Sequence, residues 1–213
     1  MSKSTFKVDT RLAYLLSENY RSPEKALKEL VDNAWDAEAL RVSISLPEPM
    51  SGDAIIVEDD GAGMTLNELQ NEYLNVARNR RQRSGDFTPN LRRKVKGRKG
   101  IGKFSGLMFA SSMTLETRAR GKQSTFCLDR DLLESSEGLP EMPLEIVNSD
   151  VSPDVHGTRI NLAELNQSQK FPNENKLKQV LIADYGREEG FEIVINGKFL
   201  GVVALEGEYK EEA

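Results

Sequence analysis

From Pro23 to about Leu40 the apolar residues fall at Ala26, Leu27, Leu30, Val31, Ala34 and Ala37. Spacings of three and four predict an amphipathic helix, with Ser22 as its cap and Pro23 in its first turn. Residues 9–20 pattern as a short helix ahead of it. Arg41–Leu46 alternates as a strand, Pro47–Asp53 reads as a turn, and Ala54–Glu58 reads as a buried strand. A helix is expected from about Leu66 to Arg80. Residues 81–99 are polar, basic and broken by Gly85 and Pro89, which predicts a long mobile loop. Lys103–Ala110 reads as a short helix. Met113–Thr117 and Ser124–Leu128 read as a hairpin around Gly121-Lys122, with further strands at Leu144–Asn148 and Thr158–Leu162. A helix near Glu174–Tyr185, a strand at Phe191–Ile195 and an Asn196-Gly197 turn close the pattern. No internal repeat is present. This order predicts an α+β fold, a two-layer sandwich with helices on one face of a mixed, largely antiparallel sheet.

Composition narrows the class. Of 213 residues, 38% are hydrophobic and 30% charged, which suits a folded globular chain rather than a disordered one. No apolar run approaches the roughly 20 residues of a membrane span, and the start lacks an apolar signal core. A cytoplasmic protein without a membrane partner is the expectation. Cys127 is the lone cysteine, so no internal disulfide can form, and one Cys with one His does not build a structural zinc site. Between Phe126 and Leu128, Cys127 is expected to be buried. His156, beside Gly157, is expected in a turn or on the surface. The net charge of −5 is uneven: Arg78–Lys103 holds eleven Lys or Arg and one acid, Asp86, so that window carries +10 and the rest −15. Such a block suits polyanions, whether nucleotide phosphates or nucleic acid; a merely solvated loop is the plainer alternative.

Three short segments carry the candidate chemistry. In Glu29-Leu-Val-Asp-Asn-Ala-Trp-Asp36, Glu29, Asn33 and Asp36 stand at i, i+4 and i+7 and share a helix face, with Asp32 at its margin. An amide oxygen suits magnesium, and a neighbouring carboxylate can orient a water and take its proton. In Glu58-Asp-Asp-Gly-Ala-Gly-Met64, Asp59 ends a strand, where it can accept the exocyclic amine of adenine, while Gly61 and Gly63 let a base approach the backbone. In Gly97-Arg-Lys-Gly-Ile-Gly-Lys103, Gly97, Gly100 and Gly102 precede a helix whose exposed N–H groups can cradle phosphate. This is neither the P-loop pattern nor the dinucleotide fingerprint. Alone, each segment is matched by a plainer reading: a charged helix face, an Asp-Gly turn, a bare glycine triplet.

Taken in order, the segments resemble the first three boxes of the GHKL ATPases: gyrase B subunits, ninety-kilodalton heat-shock chaperones, histidine kinases and MutL. Gly157-Thr158, opening a strand, resembles the fourth. The match runs from about Thr10 to Leu162. Gly97–Lys103 and Val194-Ile-Asn-Gly-Lys198 are similar to the MORC-like branch and its bacterial relatives. The resemblance implies the Bergerat fold with ATP between sheet and helices. It implies Glu29 as general base, Asn33 as Mg²⁺ ligand and Asp59 as adenine anchor. It implies Gly61, Gly63 and Met64 lining the base pocket, and Gly97, Gly100, Gly102 and Lys103 contacting phosphates from a lid. Thr158 would hold the adenine-side water with Asp59, and Asp36 would support the site. Arg78 and Arg81 lie near the relatives' polar lid contacts.

The expected organisation is an ATPase domain over 1–165 with a lid at about 78–103, followed by a helix-and-strand extension over 166–213 packed on it or following it. The expected function is Mg-dependent ATP binding and slow hydrolysis, driving a conformational switch that dimerises with nucleotide. The chain is read as the N-terminal part of a larger protein. DNA repair, chromatin-like compaction and phage defence are the natural settings for this branch. A non-catalytic module holding nucleotide or nucleic acid, with DNA along the basic lid, is the alternative. A histidine kinase is disfavoured, because His156 sits beside the fourth box and not on a helix.

Overall fold

One sheet of nine strands organises the described residues, which in this computed structural model are 2–6, 22–74, 85–97, 102–131, 142–166 and 171–200. In chain order the strands are β1 (Ser2–Phe6), β2 (Arg41–Ser45), β3 (Ile55–Asp59), β4 (Ala110–Ala119), β5 (Lys122–Asp129), β6 (Met142–Asp150), β7 (Gly157–Leu165), β8 (Glu192–Ile195) and β9 (Lys198–Phe199). Across the sheet they run β1-β6-β5-β4-β7-β3-β2-β8-β9. Every pairing is antiparallel except β2 with β8. The fold is therefore α+β, with the expected mixed and largely antiparallel sheet. Its helices are α1 (Pro23–Asp36), the one-turn α2 (Leu66–Glu68), a 3-10 helix (Gly102–Met108) and α3 (Glu174–Tyr185). One core joins Leu27, Leu30 and Val31 of α1 to Val57, Leu115, Phe126 and Ile160 of the sheet, and to Leu177 and Leu181 of α3.

The local signals explain these elements. Ser22 Oγ accepts the Lys25 N–H at 3.3 Å, and Pro23 needs no such partner, so α1 starts there. It stops after Asp36, earlier than expected, because Glu38 takes a left-handed φ of 60°. The Glu38 carboxylate accepts the N–H groups of Asn90 and Leu91, which holds that turn. Two-residue turns with both φ positive close two hairpins: Arg120-Gly121 between β4 and β5, and Asn196-Gly197 between β8 and β9.

Three expectations change. The helix expected over 66–80 is α2 followed by a π turn, Leu69–Tyr73, and residues 75–84 lie outside the described set. The helix expected at Lys103–Ala110 is the seven-residue 3-10 helix. Residues 85–97 are not a free loop: Phe87 bridges Lys94, and Thr88 N–H and Val95 N–H bond the carbonyls of Arg93 and Asp86. Strand β1 was not foreseen, since five residues with no alternation give no periodic signal. The helix expected at 9–20, and Arg78, Arg81 and Gly100, lie outside the described residues.

Candidate functional site

The core face of the sheet is apolar until its last rung. Val57, Ile160, Leu115 and Phe126 stand in register across β3, β7, β4 and β5, all buried. Two residues along, the same register aligns Asp59, Thr158, Thr117 and Ser124, and then Asn148 on β6. Alternation along each strand puts both rungs on the face that α1 covers. The polar rung is thus built into the rim of the core. Asp59 Oδ1 accepts the Gly61 N–H at 2.9 Å. Burial pushes the Asp59 carboxyl up to about 6, against the opposing backbone hydrogen bonds of Gly61 and Thr158. Its neighbour Asp60 has a different task, accepting the N–H groups of Leu40 and Arg41 at 2.8 Å each.

The Gly61–Met64 strap is threaded between strand ends. A methyl group on Gly61 would come within 2.9 Å of both Ala37 Cβ and Asp59 Oδ1. Gly63, at φ +60°, packs against the carbonyl of Arg118, and Gly157, at φ +114°, against the carbonyl of Asp59. Met64 N–H donates to Thr117 Oγ1 at 2.8 Å, and Thr117 Oγ1 lies 3.3 Å from Thr158 Oγ1. His156 is exposed, as expected, and donates from Nδ1 to the Gly61 carbonyl at 2.9 Å. Gly157→Ala should destabilise the fold by about 3 kcal/mol, since a β-carbon there meets backbone that cannot move aside. Thermal unfolding should read this as a melting temperature about 6–12 °C lower; a shift under 2 °C would mean the strap is not rigid.

Helix α1 brings the first segment to the third. Gly102 sits against Glu29 so closely that a β-carbon would overlap Glu29 Oε2. Asp36 is buried, and its carboxylate accepts Lys96 N–H and Gly97 N–H, each at 2.9 Å. These bonds tie the start of the glycine loop to the end of α1. Asn33, one turn from Glu29, is partly exposed, and its Nδ2 is buried with no hydrogen-bond partner. Half a turn of that amide presents either end to a ligand. Lys103 Nζ donates to the Glu72 carbonyl at 3.3 Å and lies 5.0 Å from the Tyr73 ring centroid. Glu29 also borders a groove of about 1010 Å³, shared with Lys28, Asp32, Trp35, Lys96 and Asp184, which no residue of the polar rung lines.

Two readings of single residues change. Cys127 is exposed, because Phe126 and Leu128 take the core positions of an alternating strand and leave it on the other face. The basic stretch is partly structural. The Arg93 guanidinium lies 4.4 Å from the Trp35 ring centroid and donates to the carbonyls of Ala39 and Gly190. The Lys96 ammonium lies 3.7 Å from the Tyr185 ring centroid and bonds Asp184 O at 3.0 Å. Arg92 and Lys94 remain exposed. Thr117, Tyr73 and Trp35 were missed as site-building residues. A polar Thr117 at an inward position of a strand otherwise facing in with Met113, Leu115 and Ala119 was the available signal.

No group of three or more His, Cys, Asp or Glu among the described residues forms a metal cage. A magnesium ion fits this donor set in another way. Mg²⁺ keeps several waters and takes one or two protein oxygens together with phosphate oxygens, and the Nδ2 of Asn33 has no protein partner to fix which end of the amide faces a ligand.

A sheet with a polar rim, a glycine strap and a glycine loop against a helical carboxylate belongs to a known class. Residues 20–158 match the family model of histidine kinase-, DNA gyrase B- and HSP90-like ATPases, and the chain belongs to this family. Membership makes it an ATP-binding domain. It is 27% identical over 208 residues to the chaperone protein HtpG of Alcanivorax borkumensis, covering 87% of this chain and 32% of the relative. It is 35% identical over 105 residues to a putative type II restriction enzyme, HgiDII, of Herpetosiphon aurantiacus, covering 48% and 16%. Over 47 residues it is 55% identical to the DNA mismatch repair protein MutL of Rhizorhabdus wittichii, covering 22% and 8%. The chain spans about a third or less of the curated relatives it matches. No helix among the described residues is long and apolar enough to cross a membrane.

Proposed function

We propose that this chain binds ATP with Mg²⁺ and hydrolyses it slowly, as the nucleotide-driven switch of a larger protein. The observation that carries the reading is the seating of Gly102 against the Glu29 carboxylate, which unites the helical and glycine segments. Asp59 would accept the adenine amine, with Thr158 holding a water beside it, while Gly61, Gly63 and Met64 flank the base. Gly97, Gly100, Gly102 and Lys103 would meet the phosphates. Asp36 would hold the loop at Lys96 and Gly97 rather than touch nucleotide, since its carboxylate already serves their N–H groups. Asn33 would ligate the magnesium, which neutralises phosphate charge when bound. Glu29 would orient the attacking water and accept its proton.

A lid that closes over ATP would present a new surface to a second copy, making the dimer nucleotide-dependent. Any DNA contact through the basic stretch would use Arg92 and Lys94 from its described part, because Arg93 and Lys96 are engaged within the fold. The relatives named for restriction and mismatch repair favour a DNA-linked setting; the chaperone relatives do not. Within the domain, residues 171–200 would act with the ATPase core, since β8 pairs with β2 and α3 packs on α1.

Calorimetric titration with ATP, with and without Mg²⁺, tests the reading. Mg²⁺ should strengthen ATP binding by about ten-fold or more, and Asn33→Ala should reduce that gain to about two-fold. An Asn33→Ala chain with the full magnesium effect would remove Asn33 as ligand, and wild-type chain that takes up no ATP would remove the function.

A further inference from the structure

Tyr73 stands where the two ends of the proposed site meet. It closes the π turn, an irregularity that accumulates at functional sites. That turn is sealed by the Leu74 N–H bond to Leu69 O at 2.9 Å. The Tyr73 hydroxyl donates to the Lys103 carbonyl at 3.1 Å, and the Lys103 ammonium returns to the Glu72 carbonyl at 3.3 Å. The Tyr73 ring stands edge-on to Phe104, 5.5 Å between centroids, and 6.3 Å from Phe126. Burial, and then the nearby Asp59 charge, push the phenol far above its ordinary value, so it stays a donor. On the opposite side Ser105 Oγ donates to the Ala26 carbonyl at 2.6 Å, fastening the 3-10 helix to α1. The two anchors, at Lys103 and Ser105, directly follow the Gly102 that faces Glu29.

We propose that Tyr73 is a positioning residue of the nucleotide site. Its hydroxyl fixes the Lys103 backbone, and so the approach of Gly102 to Glu29, without reaching the purine. The inference rests on the reading of this cleft as an ATP site. The phosphate end of the ligand then depends on the hydroxyl, while the purine end depends on Asp59 and its rung.

Tyr73→Phe removes one oxygen and keeps the ring packing. We would titrate the chain with MgATP and with AMP by calorimetry, in wild type, Tyr73→Phe and Asp59→Asn. Tyr73→Phe should weaken ATP by about five-fold, the size of one neutral hydrogen bond, and change AMP by less than two-fold. The melting temperature should fall by no more than about 4 °C. An unchanged ratio of ATP to AMP affinity in Tyr73→Phe would overturn the proposal. Equal weakening of both nucleotides would overturn it too, since a general loosening of the fold gives that result. If Asp59→Asn binds both nucleotides like wild type, the cleft is not the nucleotide site and the inference falls with the reading it rests on.

Discussion

Replacing Glu29 with Ala or Gln should cut phosphate release from ATP by about 10²–10⁴-fold, the range of a positioned general base, while ATP still binds within a few-fold of wild type. The two variants separate two roles. Glu29 both packs against Gly102 and carries the carboxylate. Gln keeps the packing and loses the basicity; Ala loses both. A loss common to the two variants therefore belongs to proton transfer. A loss confined to Ala belongs to packing, because the glycine segment would settle into the space left by the side chain. Wild-type turnover is expected to be slow, so single-turnover measurement with radiolabelled phosphate is the suitable assay. Glu29→Gln releasing phosphate at the wild-type rate would end the assignment of the base.

Asp59→Asn should lower affinity for adenine nucleotides by about 100-fold or more, which corresponds to about 2.7 kcal/mol. The amide can still accept the Gly61 N–H through its oxygen. Its NH₂ then meets the adenine amine donor to donor, an arrangement without a hydrogen bond. Stability should move in the opposite direction. The folded carboxyl titrates near 6 against an ordinary value of 3.8, because burial disfavours its charge. Between those values the folded state holds the proton more tightly than the unfolded chain, so stability falls as pH rises through that window. Above it the charge stays buried at a cost, and Asp59→Asn should melt at the same temperature as wild type or higher at pH 7.5. Ligand binding follows the ionised form. Adenosine, which has no phosphate to titrate near pH 6, should bind about ten-fold more weakly at pH 5 than at pH 8. A flat adenosine profile would show that recognition does not run through Asp59.

Much of this arrangement was legible in the sequence where a physical pattern repeats. The α1 stripe, the Ser22-Pro23 start, the alternating β4 and β5 and the Asn196-Gly197 turn all carry local signals, and the structure bears them out. Gly61 and Gly63 were legible as points where the backbone must be left open; the tight seats of Gly97 against Asp36, Gly102 against Glu29 and Gly157 against Asp59 were not. What was not legible depends on distant partners. Residues 85–97 look solvated by composition, yet Trp35, Asp36 and Glu38 fasten them through contacts some sixty residues away in the chain. Cys127 was misread because its apolar neighbours were taken as company, when alternation makes them its opposites. Tyr73 gave no signal, since its hydrogen-bond partner is the backbone of residue 103 and any sequence there supplies a carbonyl.

The parallel pairing of β2 with β8 has a consequence for synthesis. Arg41 and its partner Glu192 are separated by most of the chain, and a ribosome adding about 5–20 residues per second needs roughly eight to thirty seconds to bridge that gap. Throughout that interval the outer side of β2 has nothing to pair with, and it is a template for any extended segment nearby, including the same strand of a neighbouring nascent chain. The final thirty described residues therefore close a window of vulnerability during biogenesis, in addition to whatever they do once the molecule is complete.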